Sequence, residues 1–294
     1  MDVERITVVG AGAMGAGIAQ VATQAGFGVT LLDVDEAAVA AGLGRVEADW
    51  QRGVDRGKLT SDDAASWRDR LATAADLPAA VEGADLVIEA VPENLDLKRG
   101  LLARIDAAAP PDTLIASNTS GLSISALAAA TRRPGQVLGM HFFNPVPRMR
   151  LLELVRHEGT SQEALAAARR VGEAMGKTCI TVQDSPGFAT TRLGIVLGNE
   201  ATRMLEEGIA SARDIDAAMV LGFGHPMGPL ELGDLVGHDV RLAVCEDLSA
   251  RLGGPQFEAP ALTRRLVAAG DLGQKTGRGV YDWSTGKPEP RELP

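Results

Sequence analysis

"ITVVGAGAMGAGIAQVA", Ile6 to Ala22, is the stretch on which the fold turns. A short β-branched run closes on Gly10, Ala11 and Gly12, and an apolar helical period follows. The order reads as strand, tight turn and helix. Gly10, Gly12 and Gly15 stand in G-x-G-x-x-G spacing, and each glycine has a physical reason. Gly10 permits the turn, Gly12 lets a pyrophosphate approach the backbone, and Gly15 lets helix and strand pack closely. The N–H groups of Ala13 and Met14 then face the phosphates at the positive end of the helix dipole. A second strand, "VTLLDVD", carries Asp33, near the ~20-residue offset expected of a ribose-binding acid. The alternative is a glycine-rich turn in an unrelated α/β fold; strand, helix and acid together argue against it. Asp33 suits a free 2′-hydroxyl and repels a 2′-phosphate. Val34, Asp35 and Glu36 supply no arginine to receive one, so NAD is favoured over NADP.

Outward from that turn, short β-branched runs alternate with helical stretches up to about Gln183. The strand candidates are "ITVVG", "VTLLDV", "DLVIEAV", "TLIASN", "VLGMHFF" and "LLELV", with helical periods at Gly15–Ala25 and Leu95–Ala108. Alternating βαβ units imply a Rossmann-type, mostly parallel sheet with helices on both faces. Glu36 to Arg70 is too long for one crossover and reads as an inserted helical hairpin around "RGKLTSDD", with Ser61, Asp62 and Asp63 forming a helix start. After "VQDSPGF" helices take over: Ala189–Glu207, Ala212–Leu221, Glu231–Arg251 and Ala261–Ala269, separated by Gly-Pro punctuation. The expected architecture is an α/β domain, residues 1–184, followed by an all-helical domain, residues 185–294.

Composition narrows the function classes. A net charge of −10 and 3% aromatic residues oppose binding to a phosphate backbone, which needs a basic face. No apolar run approaches the ~20 residues of a membrane span, and the chain opens directly on a strand without a targeting pattern. Two cysteines, Cys179 and Cys245, are too few for a disulfide framework or a zinc site. No metal site is expected, and a reducing, cytoplasmic setting fits best.

Oxidation of an alcohol by a nicotinamide needs a base for the hydroxyl proton. Of four histidines, His157 follows a strand among charged residues, His225 sits in a Gly-Pro turn, and His238 lies in a helical stretch near Asp239. Only His141 closes a predicted sheet strand, at the edge where open α/β sheets bind ligands. In "HFFNPVPRMRLLELV", His141 and Glu153 lie equally far from Pro147. A turn centred there would bring them together, so that the carboxylate accepts the imidazole N–H and fixes its tautomer. The plainer alternative is a satisfied core histidine and a carboxylate on a strand edge.

The same stretch resembles the signature of the L-3-hydroxyacyl-CoA dehydrogenases, which include 3-hydroxybutyryl-CoA dehydrogenases. The resemblance continues in order through "IEAVPENLDLK", "ASNTSGLSIS", "DSPGF", "NEATRMLEEGIAS", "DIDAAM", "HPMGPLEL" and "KTGRGVY". It implies oxidation of the 3-hydroxyl of an acyl-CoA with hydride passing to NAD, by a homodimer formed through the helical C-terminal domain. It further implies His141 as base, Glu153 as its orienting carboxylate, and Ser120 as a hydrogen-bonding partner of the substrate oxygen. Asn144 would face the nicotinamide end, Glu93 and Lys98 the ribose side, and Lys275 the cofactor from the second domain.

Alternatives stand beside these roles. Ser120 could be a helix N-cap, and Lys98 and Lys275 could be solvated surface charges. Arg52, Arg56 and Lys58 form a basic cluster that could hold CoA phosphates, Lys58 being the single choice, or simply a solvated helix face. One position departs from the family pattern: Thr191 stands in "ATTRLG" where an asparagine amide usually helps hold the substrate. That leaves open another 3-hydroxy compound on the same scaffold, a carrier-protein thioester or a sugar acid. A non-catalytic NAD-binding protein is the remaining class.

Overall fold

The computed structural model describes residues 2–294, which fall into two compact units, Met1–Ser185 and Pro186–Pro294. The strands of the first are β1 (Arg5–Val9), β2 (Gly28–Leu32), β3 (Leu71–Thr73), β4 (Leu86–Glu89), β5 (Leu114–Ser117), β6 (Val137–Phe142), β7 (Leu151–Arg156) and β8 (Thr178–Gln183). They form one sheet in the order β3-β2-β1-β4-β5-β6-β7-β8. Neighbours run parallel except β6 and β7, which are antiparallel. Helices α1 (Ala13–Gln24), α2 (Glu36–Asp55), α3 (Ser61–Arg68), α4 (Leu77–Val81), α5 (Leu95–Ala108), α6 (Ile124–Ala128) and α7 (Gln162–Ala174) connect them.

The central strands β4, β5 and β6 are buried along their whole length, as their unbroken apolar runs require of a sheet covered on both faces. Two strands fall outside the sequence expectation. Both β3 and β8 lie at the sheet's edges and stay partly exposed, so neither needs the apolar run that reveals a central strand. The expected hairpin is α2 and α3, with Trp50 against Trp67 at 5.8 Å between ring centroids. Its second helix starts at Ser61, where the sequence sets it. Thr60 is the N-cap, accepting from the Asp63 N–H while the Asp63 carboxylate accepts from the Thr60 N–H. On α2, Gly42 packs so tightly that a Cβ there would stand 2.6 Å from the Ala11 carbonyl oxygen. The insert is thus seated on the glycine turn.

The second unit holds α8 (Thr190–Glu206), α9 (Ala212–Phe223), α10 (Pro229–Val236), α11 (His238–Leu252), α12 (Ala261–Ala268) and a small ribbon, β9 (Tyr281–Asp282) with β10 (Glu289–Pro290). The single stretch expected at Glu231–Arg251 is two helices. Gly237 divides them at φ +102°, a conformation L-residues rarely adopt. Helix α10 begins on Gly228, which has no side chain to cap it. Asp216 of α9 serves instead, accepting from the N–H groups of Leu230 (2.8 Å) and Glu231 (3.0 Å). Among the described residues no helix is long and apolar enough to cross a membrane. A mostly parallel sheet with an inserted helical pair, followed by a helical part, is the fold class the sequence leads one to expect.

Candidate active site

The β1–α1 turn is built from the three glycines in three ways. Gly10 sits at φ +108°, and a Cβ there would meet the Ala90 carbonyl at 2.6 Å. A Cβ on Gly15 would fall 1.7 Å from the Gly10 carbonyl oxygen, so that contact exists only between glycines. Gly12 is the contrast: a Cβ would meet nothing within 4 Å, and the room it leaves lies over the start of α1, which no side chain caps. An open glycine above uncapped N–H groups fits a pyrophosphate. Asp33, just beyond β2, accepts from the Ala11 N–H (2.5 Å) and the Val34 N–H (2.6 Å). Its carboxylate is therefore held against the glycine turn.

Across the sheet, the antiparallel ladder sets His141 of β6 directly opposite Glu153 of β7. The imidazole Nδ1 lies 2.6 Å from Glu153 Oε2. Glu153 is fully buried and His141 is 6% exposed. The Phe143 ring packs on the imidazole at 4.4 Å. At the last residue of β6, the Phe142 N–H donates to the Asn118 side-chain oxygen at 2.9 Å, fastening the end of β6 to the end of β5. Beyond it the chain becomes exposed at Asn144 and Pro145, joined by a cis peptide bond.

Ser120 is exposed in the turn after β5. Its N–H donates to Glu93 Oε1 (2.9 Å), and so does the Thr119 hydroxyl (2.6 Å). It caps no helix; the N-cap of α6 is Ser123, whose neighbourhood is tied down by Asp184. That carboxylate accepts from the Ser123 hydroxyl, the Ile124 N–H, and both the N–H and hydroxyl of Ser125. Lys98 is no solvated surface charge either. It is 1% exposed and donates to Glu89 Oε1 (2.6 Å) and the Val91 carbonyl (3.0 Å). In the second unit, Lys275 is exposed and paired with Asp239 at 2.5 Å. This cation's bond comes first among the causes that hold the Asp239 carboxyl below the usual range. Thr191, partly buried, stands in the first turn of α8.

A cleft of about 670 Å³ runs between α1, α2 and the chain from Asn144 to Arg148. Arg45, Arg52 and Arg148 are on its wall. Asp49 is there too, holding Arg52 at 2.9 Å and accepting from Gln20 at 2.6 Å. Burial pushes the Asp49 carboxyl up, but those bonds outweigh it and hold the group below the usual carboxylate range. Of the sequence-selected basic cluster only Arg52 lines this cleft. Lys58 lies at the exposed tip of the helical pair and is not on the wall. Arg45 was findable, because it precedes Arg52 by two helical turns and so shares its face. Glu89 and Asn118, buried or half-buried at the strand ends, stand in motifs whose neighbouring residues carry the recognisable chemistry.

With this geometry in view, the comparisons with known proteins are direct. Residues 5–185 match the model of the 3-hydroxyacyl-CoA dehydrogenase NAD binding domain, and residues 187–283 that of the 3-hydroxyacyl-CoA dehydrogenase C-terminal domain. A probable 3-hydroxybutyryl-CoA dehydrogenase of Bacillus subtilis is 44% identical over 96% of this chain and 98% of its own length. A 3-hydroxyadipyl-CoA dehydrogenase of Escherichia coli is 40% identical over 96% of this chain and 60% of its own. The crystal structure of (S)-3-hydroxybutyryl-CoA dehydrogenase from Ralstonia eutropha superposes with a TM-score of 0.92 at 44% identity, covering 96% of this chain and 100% of that one. This chain belongs to the 3-hydroxyacyl-CoA dehydrogenase family, and its first unit is that family's NAD-binding domain.

Proposed function

We propose that this enzyme oxidises the 3-hydroxyl of an L-3-hydroxyacyl-CoA to the ketone, with His141 as general base. The observation that carries the reading is the 2.6 Å contact between the buried Glu153 carboxylate and His141 Nδ1, at the end of a sheet whose first turn suits a dinucleotide. A carboxylate only accepts, so Nδ1 carries the proton and Nε2 takes the one leaving the substrate hydroxyl. Glu153 then stabilises the imidazolium. NAD, when bound, supplies the acceptor for the hydride departing from the same carbon. Gly10, Ala11, Gly12, Ala13, Met14 and Gly15 hold its pyrophosphate and Asp33 its ribose. Glu93, Asn144 and Lys275 serve the remainder, with Lys98 acting through Glu93. Ser120 donates to the substrate oxygen.

Arg45, Arg52 and Arg148 on one cleft wall support binding of a polyanionic carrier such as CoA, with Lys58 at the exposed tip of the helical pair as a further phosphate-holding residue. Exposed Leu221, Phe223, Leu235 and Val236 of the helical unit support a homodimer formed through that unit. Two free thiols fit a reducing, cytoplasmic setting. Thr191 favours a second reading for the acyl end only. A hydroxyl at the start of α8 is shorter than the usual amide, and a different thioester or 3-hydroxy acid then fits. The test is a steady-state screen with NAD and 3-hydroxyacyl-CoA esters of increasing length, run beside the free 3-hydroxy acids. Turnover of at least one CoA ester, far above its free acid, is expected; no turnover of any CoA ester would overturn the reading.

A further inference from the structure

One buried carboxylate at the carboxyl ends of the strands has no part in the chemistry above. Glu89, the last residue of β4, is fully buried. Its Oε1 accepts from Lys98 Nζ (2.6 Å) and the Val91 N–H (2.7 Å). Its Oε2 accepts from the hydroxyl of Ser117, the last residue of β5, at 2.6 Å. One carboxylate thereby joins the ends of two strands to α5. Lys98 is enclosed with it and faces a second carboxylate, Glu93 Oε2, at 3.4 Å. Glu93 is partly exposed, and its other oxygen receives the Thr119 hydroxyl and the Ser120 N–H. Thr119 in turn accepts from the Leu122 N–H at 2.9 Å. Hydrogen bonds, with one ion pair between Lys98 and Glu93, link Glu89 to the turn that carries Ser120.

We propose that Glu89 is a positioning residue for Ser120, acting through the Lys98 ammonium and the Glu93 carboxylate. The inference rests on the reading of Ser120 as the partner of the substrate oxygen. Its physical basis is the order in which the charges depend on one another. An ammonium can be enclosed at the strand ends only beside a charge that compensates it, and Glu89 is the enclosed one. Glu93 reaches in from solvent, where a carboxylate is well hydrated, and the ammonium is what holds it in place. Without that cation Glu93 gains by turning outward, and the Ser120 and Thr119 donors lose their common acceptor. The Ser120 hydroxyl is then carried on a turn with one end unfastened.

The experiment is a double-mutant cycle on the full chain at saturating NAD, so that cofactor affinity does not enter, reading kcat, KM for 3-hydroxybutyryl-CoA and melting temperature. Glu89→Gln keeps the shape but removes the charge, and is expected to lower kcat/KM about tenfold, mostly in kcat. Because that variant strands an ammonium, Glu89→Gln with Lys98→Met is made beside it. Removing both charges restores the fold if the single variant loses it, and the same loss of turnover is expected. In a Ser120→Ala background either change is expected to cost less than about twofold, since the group it positions is gone. A loss that persists undiminished in that background overturns the proposal, and so does wild-type turnover in the charge-free pair. Ser120→Ala alone tests the underlying role: unchanged turnover there would refute the reading of Ser120 itself, a result distinct from either failure above.

Discussion

Among the described residues two imidazole–carboxylate pairs are buried, one in each unit. His141 meets Glu153 at 2.6 Å, and His238 meets Asp234 at 2.7 Å. Length and burial barely separate them; their surroundings do. Asp234 accepts from four donors in two segments: His238 on one, and the N–H groups of Val280 and Tyr281 with the Trp283 indole N–H on the other. It is a staple binding the end of the chain to α10 and α11. Tyr281, on the same segment, is sealed in as well: burial first, then its bond to Asp216, pushes its phenol far above the ordinary value. His141 instead closes a strand, and three residues later the chain is exposed and lines a cleft. A histidine and an acid in contact therefore speak for catalysis where the neighbouring chain opens onto a cleft, as it does beyond His141 and not beyond a staple.

The contrast is sharpest in turnover. His141→Ala is expected to lower kcat by ~10²–10⁴-fold while NAD affinity and melting temperature stay near wild type, measured by steady-state kinetics and calorimetric titration. His238→Ala should do the reverse, melting earlier while the folded protein turns over normally. Equal losses of activity in the two variants would erase the distinction. Asp234→Ala leaves several buried donors unpaired and is expected to cost about 3–5 kcal/mol. In calorimetry that is a fall in melting temperature on the order of 10 °C; a fall within about 2 °C would mean it staples nothing. The smallest effect belongs to Asp184. Burial pushes its carboxyl up, but the four bonds from Ser123, Ile124 and Ser125 prevail and hold it below its ordinary 3.8. The stability it contributes is whole above that value and drains away as pH falls toward the depressed one. A melting gap of a few degrees between wild type and Asp184→Asn should therefore narrow in acid; a gap constant from neutrality to well below 3.8 would contradict this.

Much of the frame was legible. The glycine turn, the existence of the central strands and the spacing about Pro147 all follow from local pattern, because each rests on residues close together in the chain. What escaped depends on distance. His238 stands beside Asp239 in sequence, yet it pairs with Asp234 across the Gly237 break, and Asp239 turns to Lys275. Lys98 is singled out by its motif, but its burial is not legible, because the carboxylate that encloses it sits nine residues earlier, on a strand whose apolar neighbours conceal it. The edge strands β3 and β8 lack the apolar run that marks a strand buried on both sides. Arg45 and Arg148 come together through the fold alone.

The reversal of strand direction between β6 and β7 carries one last consequence. Paired residues in an antiparallel ladder obey a count, and slippage by a single position would set Leu152 or Leu154 opposite His141 instead of Glu153. Both are leucines, so the sheet would keep nearly the same greasiness while the imidazole lost its acid. The length of the chain between Phe142 and Leu151 is thus as much a part of the active centre as any side chain in it, and one deleted residue there could silence the enzyme with every recognisable motif intact.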